Sequence, residues 1–300
     1  MSVYNDSRYL MQSIQSILDQ TYPFFEFIIV NDGSTDNSED IILSFHDDRI
    51  RYFKKENTGL ADSLNFGIEQ SSYEWIARMD GDDVALPTRF EEQVKMISSG
   101  YDLIGGQAII IDENGVAKTG RPTNRPTNKV LSKLYVLLGW TPVIHPAVLI
   151  NKKKLIEAGK YDTNFKASQD MDMWFRMSPS CKIVNTDKVV LYYRKHSGNI
   201  SHSKKEYQRE LSFLAYVKMA LRIKTAIDKS TFDMLSSNQY IRKLIEKNSS
   251  LFVSTHNRIW IMRCLKTMQY YSWRLLTYSQ LRINRIRILK QIIEWPEYRF

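Results

Sequence analysis

Cysteine is scarce in this chain. It has two in 300 residues, Cys181 and Cys264, far apart and in no metal or redox spacing. A disulfide framework and thiol chemistry are therefore excluded as organising principles, and a reducing compartment is implied. Long apolar runs are missing as well. Nothing approaches the roughly 20 apolar residues of a membrane-spanning helix, and no basic-then-apolar leader opens the sequence. The expectation is a cytoplasmic protein not integral to a membrane. No recognised nucleic-acid-binding module is present, so nucleic acid is not expected as a partner. What remains is ordinary globular material, 43% apolar and 25% charged, long enough for one large or two modest domains.

Charge is unevenly placed. Residues 201–300 carry 19 Lys and Arg against 7 Asp and Glu, a net of +12. The whole chain nets +9, which leaves residues 1–200 at −3. Basic regions attract nucleic acid, anionic lipid or acidic partners.

The first 200 residues alternate helix and strand. Leu10, Ile14, Ile17 and Leu18 give residues 8–20 a helical spacing, with Asn5, Asp6 and Ser7 as candidate caps. The run at 24–30 is nearly all apolar, as in a buried parallel strand. A turn of small polar residues (31–36) leads to a helix at 37–45, a strand at 50–53 and a helix at 59–70. The strand at 73–79 then delivers Asp80-Gly81-Asp82-Asp83. This βαβα pattern predicts an open, mostly parallel sheet with helices on both faces. Such sheets bind ligands at the carboxyl ends of their strands, where Asp32 and the acidic cluster both fall. Three carboxylates in four residues repel one another. The bland reading is a solvated acidic turn; the sharper one is a site for a hard divalent cation, Mn²⁺ or Mg²⁺.

Further on, residues 103–111 read as a strand and 112–115 as a hairpin-type turn. Residues 119–128, rich in Pro, Arg, Thr and Asn, read as a mobile substrate or lid loop. Residues 129–139 are helical, and 147–150 form a strand. Trp140 either floors a substrate site or packs in the core. Beyond residue 203, helical patterns recur at 206–224, 234–247, 258–268 and 280–294. In the last, Arg282, Arg285, Arg287 and Lys290 interleave with Leu281, Ile283, Ile286, Ile288 and Leu289. Such a basic amphipathic helix either lies on an anionic membrane surface or packs on a core with its basic face solvated.

Several motifs, in order, resemble family 2 glycosyltransferases of the GT-A fold. They are Val3-Tyr4-Asn5, Ser16-Ile17-Leu18-Asp19-Gln20-Thr21-Tyr22, the stretch from Ile28 through Asn31-Asp32-Gly33-Ser34-Thr35-Asp36 to Ser38, and Asn57-Thr58-Gly59-Leu60. The series continues with Asn65-Phe66-Gly67-Ile68, Ala77-Arg78-Met79-Asp80-Gly81-Asp82-Asp83, His145-Pro146, Gly159-Lys160-Tyr161-Asp162 and Ser168-Gln169-Asp170. The resemblance covers residues 1–202 and implies a GT-A catalytic domain there, followed by a basic helical region at 203–300. It also implies an inverting transfer of sugar from a UDP-sugar donor to a glycan or lipid-linked acceptor, of the bacterial surface-polysaccharide type. Peripheral contact at the inner face of the plasma membrane would then fall to the C-terminal helices.

The same resemblance assigns roles. Tyr4 would pack on uracil, against the alternative of an ordinary core tyrosine. Asp32 would accept from uracil N3–H, unless it only caps the next helix. Asp80 would sit near ribose and metal, and Asp82 would hold the metal, with His196 as a third ligand or diphosphate contact. Asp83 is a loop or cap residue, and Arg78 a diphosphate or structural partner of the acids. Asp170 would be the base, with Asp172 as rival and N-capping as the bland reading; His145 reads as structural. Two departures stand out. Leu64 replaces an arginine that relatives place before Asn65. The apolar strand that runs into Val3-Tyr4-Asn5 is reduced to three residues, so the first strand is expected to be truncated or absent. The rivals are a degenerate GT-A protein serving as a non-catalytic assembly partner, and a nucleotidyltransferase, which should carry a Gly-rich basic loop not seen here.

Overall fold

The computed structural model describes residues 1–137, 140–199 and the positions 208, 212 and 215. The helical patterns predicted beyond residue 203, and the membrane contact expected of them, lie outside the described residues. Among the described residues no helix is long and apolar enough to cross a membrane.

Three parallel strands open the fold, in the order β1 (Ser2–Val3), β2 (Phe27–Asn31), β3 (Ile50–Lys54). Helices α1 (Ser7–Leu18), α2 (Ser38–Leu43) and α3 (Leu60–Gln70) connect and follow them. Val3, Leu10, Ile14, Ile17, Phe27 and Ile29 share one core. β2 begins later than its apolar run. Phe24 follows Pro23 outside the ladder and is 73% exposed.

The first strand has two residues, matching the expectation of a stub. Its register, Ser2 opposite Val30 and Val3 opposite Asn31, leaves the start of β2 without a strand on that side. The sheet divides here. A second sheet begins at β4 (Trp75–Ala77) and runs β4, β8 (Leu149–Asn151), β6 (Leu103–Ile111), β9 (Ile183–Arg194), β5 (Val84–Ala85). β7 (Ala117–Pro122) pairs with β6. The parallel character continues only in the β6–β9 pair; β8 lies antiparallel to both of its neighbours. The α/β class holds, but this half of the sheet is mixed.

The loop predicted at 119–128 is instead tied down. Residues 119–122 lie in β7. Thr123 Oγ1 accepts from Ala108 N at 2.9 Å, Gln107 Oε1 accepts from Arg125 N at 2.8 Å, and Asn185 N donates to Pro126 O at 3.2 Å. Gln107 and Asn185 are themselves buried, and such side chains hold irregular backbone where no ladder can. Trp140 meets Tyr135 edge to face at 5.5 Å between ring centres.

Behind the acidic strand end, Arg89 at the start of α4 (Arg89–Val94) is fully buried. It donates to Arg78 O (2.6 Å) and Val148 O (3.3 Å). Burial, followed by the nearby Arg78, pulls its guanidinium down to about 9.

Candidate active site

The polar turn after β2 and the loop after β1 are latched to each other. Asn5, left-handed at φ 56°, donates its N–H to Ser34 Oγ (3.1 Å), and its Oδ1 accepts from Thr35 N (2.8 Å). Asp6 N donates to Ser38 Oγ (3.0 Å) and Ser7 N to Asp36 Oδ2 (3.0 Å). Burial would raise the Asp36 carboxyl, but the hydrogen bonds from Ser38 and Ser7 carry it down to about 2. Asn, Asp and Ser are suited to this because their short side chains reach nearby backbone. Gly33 is required: it sits at φ +73°, and a Cβ there would meet Asn57 N at 2.8 Å. The latch leaves Tyr4 49% exposed at the strand end. It is not a core tyrosine.

Asp32 is 2% exposed and heavily engaged. Its Oδ1 accepts from Lys55 Nζ (2.6 Å) and Thr58 N (3.1 Å), and its Oδ2 from Gly59 N (2.9 Å). Burial opposes the charge, but these donors hold the carboxyl below its usual range. It therefore clamps the loop that starts α3. Ser63 contributes a fourth hydrogen bond, so the roughly four acceptor positions of the carboxylate are taken.

The acidic cluster sits at the end of β4. One oxygen from each of Asp80, Asp82 and Asp83 lies within 4.8 Å of the others. Arg78, 6% exposed, grips Asp80 with both guanidinium nitrogens. Asp83 is fully buried; its Oδ1 accepts from Arg194 N at 2.7 Å, and its Oδ2 has no partner. Burial, then Asp82 and Asp80, pushes the Asp83 carboxyl well up. Burial and Asp80 likewise raise Asp82. A fourth acid joins them. Asp6 makes no side-chain cap for α1; a Cβ on Gly81 would meet its Oδ2 at 2.7 Å. Burial, with Asp82 next, raises Asp6 to about 7. An all-oxygen donor set of crowded carboxylates, one with an orphaned buried oxygen, fits a hard divalent cation.

β9 brings the far wall. His196 Nε2 lies 3.0 Å from Asp82 Oδ2, and Asn199 Nδ2 donates to the same oxygen at 2.8 Å. His196 Nδ1 accepts from Gly198 N at 3.2 Å, which places the ring proton on Nε2, facing Asp82. Arg194, 2% exposed, donates to Asp82 O (2.8 Å) and Gln12 Oε1 (2.7 Å) and stacks on Tyr9 at 4.5 Å. It thus ties the acidic loop to α1.

Asp170 lies in the first turn of α7 (Gln169–Met177). Burial raises its carboxyl; the backbone N–H of Met171 and the charge of Arg78 work against that, and Asp80 adds to it. Its rival is occupied: Asp172, 2% exposed, takes Arg176 Nε at 2.8 Å and a terminal Arg176 nitrogen at 2.7 Å. His145 faces Tyr161 OH at 2.8 Å and Trp174 at 5.7 Å between ring centres. Burial, then Arg78, holds it far below its ordinary value, as a neutral structural histidine.

Residues 1–159 match the family model described as "Glycosyl transferase family 2", and residues 128–257 match "Glycosyltransferase like family 2". The chain belongs to glycosyltransferase family 2. An uncharacterized glycosyltransferase of Rickettsia felis is 33% identical over 71% of this chain and 36% of its own length. This chain thus spans about a third of that relative. The Escherichia coli O-antigen biosynthesis glycosyltransferase WbnJ is 30% identical over 71% of this chain and 85% of its own. The crystal structure of Staphylococcus aureus TarS 1–349 in complex with UDP-GlcNAc aligns with TM-score 0.62 at 17% identity, over 89% of this chain and 78% of that one. The mannosyltransferase PcManGT from Pyrobaculum calidifontis, in complex with GDP-Man and Mn²⁺, aligns with TM-score 0.56 at 14% identity, over 90% and 84%. At these identities the two structures establish the GT-A fold.

Sequence reasoning missed Asp6, Lys55, Arg194 and Asn199. Lys55 lies two residues before Asn57 and Arg194 two before His196, but nothing local to them names Asp32 or Asp83 as partner. Asp6 reads as a cap because it precedes a helix.

Proposed function

We propose that this chain is an inverting glycosyltransferase, moving a sugar from a UDP-sugar to a hydroxyl of a glycan or lipid-linked acceptor. The observation that carries the reading is the contrast between Asp170 and Asp172. One is a raised carboxyl held only by backbone N–H groups of its own turn and electrostatically linked to Arg78 and Asp80; the other is spent on Arg176. A carboxylate whose pKa is lifted toward neutrality is the better general base, and Asp170 is assigned to deprotonate the attacking hydroxyl. Tyr4, exposed above the latch, is assigned to stack on uracil, and Asp32, at the carboxyl end of β2, to accept from uracil N3–H in exchange for one of its present donors. Asp80 is assigned to the ribose side of the donor, with Arg78 holding it. Asp82, with His196 behind it, would hold a Mn²⁺ or Mg²⁺ ion, which His196 could join as the tautomer that carries its ring proton on Nδ1. When bound, the ion neutralises charge on the leaving diphosphate. Leu64 offers no charge there, which places that task on the acidic cluster's cation.

The O-antigen biosynthesis named for WbnJ supports a role in surface-polysaccharide assembly. A cytoplasmic location, and contact with the inner face of the plasma membrane through the basic region, go with that reading. So does the division into a catalytic domain at 1–202 and a basic region at 203–300. The test is twofold. Mn²⁺ with UDP should raise the melting temperature, and Asp170→Asn should abolish transfer while leaving UDP binding intact. Loss of UDP binding in that variant would remove Asp170 as base. No shift with Mn²⁺ and UDP would favour a non-catalytic assembly partner.

A further inference from the structure

Ser168 stands immediately before the first turn of α7. A serine there ordinarily has extended backbone, and its oxygen accepts from the N–H two or three residues on. Those donors would be Asp170 N and Met171 N. Ser168 is instead left-handed, at φ 57° and ψ 22°, and makes no side-chain cap. Such backbone is strained in a residue other than glycine and persists only where its surroundings over-determine it.

The surroundings are two residues from beyond the proposed catalytic domain. Ser168, 5% exposed, donates through Oγ to Gln208 O at 3.1 Å and lies 2.8 Å from Ser212 Oγ. A serine hydroxyl has one proton. With that proton on Gln208 O, Ser212 is the donor of the second bond and occupies Ser168 Oγ as an acceptor. Positions 208 and 212 are both helical, about one turn apart, and belong to the compact unit Met1–Tyr216 that also holds α7. The N–H groups that Ser168 passes over do not go unmet. The Asp170 carboxylate takes them, from Met171 and from Asp170 itself.

We propose that Ser212 is a positioning residue for Asp170: by engaging the Ser168 hydroxyl it reserves the first N–H groups of α7 for the Asp170 carboxylate and so fixes where that carboxylate sits. The functional meaning rests on the reading of Asp170 as the base. An ordinary serine cap would compete for the same two donors and release the carboxylate to rotate. The segment around Ser212 thereby bears on the proposed base without touching substrate. Other ionisable groups also act on Asp170: Arg78 and Asp80 after β4, Arg125 after β7, and Tyr161 before α7. The substitutions below leave all four in place.

The experiment is the titration of Asp170 in the full chain, followed by NMR of labelled aspartate carboxyl carbons and assigned by the signal that Asp170→Asn removes. Ser212→Ala vacates the Ser168 oxygen, which can then cap the helix, and Asp170 loses N–H donors to its charged form. Its carboxyl should titrate about one pH unit higher, with the fold retained. Ser212→Thr keeps the donor and should not move it. Ser168→Gly/Ser212→Ala removes the rival oxygen as well, in a residue type for which a positive φ is no strain, and should return the titration to its wild-type position. A merely structural Ser212 would lower the melting temperature in Ser212→Ala and leave the Asp170 titration where it was. That result, or a shift that persists in the double variant, would overturn the proposal. The base reading stands or falls separately, on whether Asp170→Asn abolishes transfer.

Discussion

The candidate site has two sides held by different chemistry. On the side proposed to take the nucleotide, residues 1–59, short neutral or singly charged groups reach neighbouring backbone. Asn5, Ser34, Asp36 and Ser38 latch two loops, and Asp32 clamps a third. On the acidic side, residues 78–196, buried charged groups are met across long stretches of sequence, as the Arg194 backbone N–H meets the Asp83 carboxylate and the Arg194 guanidinium meets Asp82 O. The first arrangement is many small bonds to groups that water could also satisfy, each worth about 1 kcal/mol. The second is a few interactions in which losing one partner strands a buried charge, costing about 3–5 kcal/mol. Damage on the two sides should therefore look different.

The largest expected effect is on rate alone. Asp170→Asn should lower kcat by about 10²–10⁴-fold with UDP affinity and melting temperature kept, read by transfer assay and calorimetry. Asp172→Ala should do the reverse. It strands Arg176 among Ala158 O and Lys160 O and should destabilise the fold by about 3–5 kcal/mol, while activity per folded molecule survives. A rate loss without destabilisation would reverse the assignment of base and strut. On the nucleotide side, Gly33→Ala should cost about 1–3 kcal/mol, because the obstruction is backbone. Asn5→Ala, which cuts one latch, should cost about 1 kcal/mol, both read by denaturant melts. The remaining effect is in pH. Asp6 titrates at about 7 in the native protein and near 4 when unfolded, so between those values only the native form holds the proton. Stability is then greatest at the acid end and falls as pH rises through 7. Asp6→Asn should flatten that slope in melts taken across the window.

The same contrast explains what the sequence shows. Helices α1 and α3 and strands β3 and β6 follow directly from apolar spacing. The turn from Asn31 to Ser38 reads as a ligand loop because its residue types and their targets lie close together in the chain. The acidic side reads only in part. The Asp80–Asp83 cluster is contiguous and visible, whereas Arg194 lies 111 residues from Asp83, and no local pattern links them. The mixed second sheet was hidden for a similar reason. β8 reads as a strand, but its antiparallel pairing with β4 depends on a partner more than seventy residues away. Residues 119–128 looked free because the side chains that anchor them, Gln107 and Asn185, belong to other strands.

Gly81 and Asp6 illustrate how such distant pairs would behave under mutation. A methyl group at position 81 meets a side chain, Asp6 Oδ2 at 2.7 Å and Asp6 Cβ at 3.1 Å, where the methyl at 33 meets backbone. Gly81→Ala should therefore turn the Asp6 carboxylate out of the cluster and press on its Cβ, so the two substitutions Gly81→Ala and Asp6→Ala should overlap in effect and fall short of adding. Seventy-five positions apart in the chain, these residues would be inherited as a single choice.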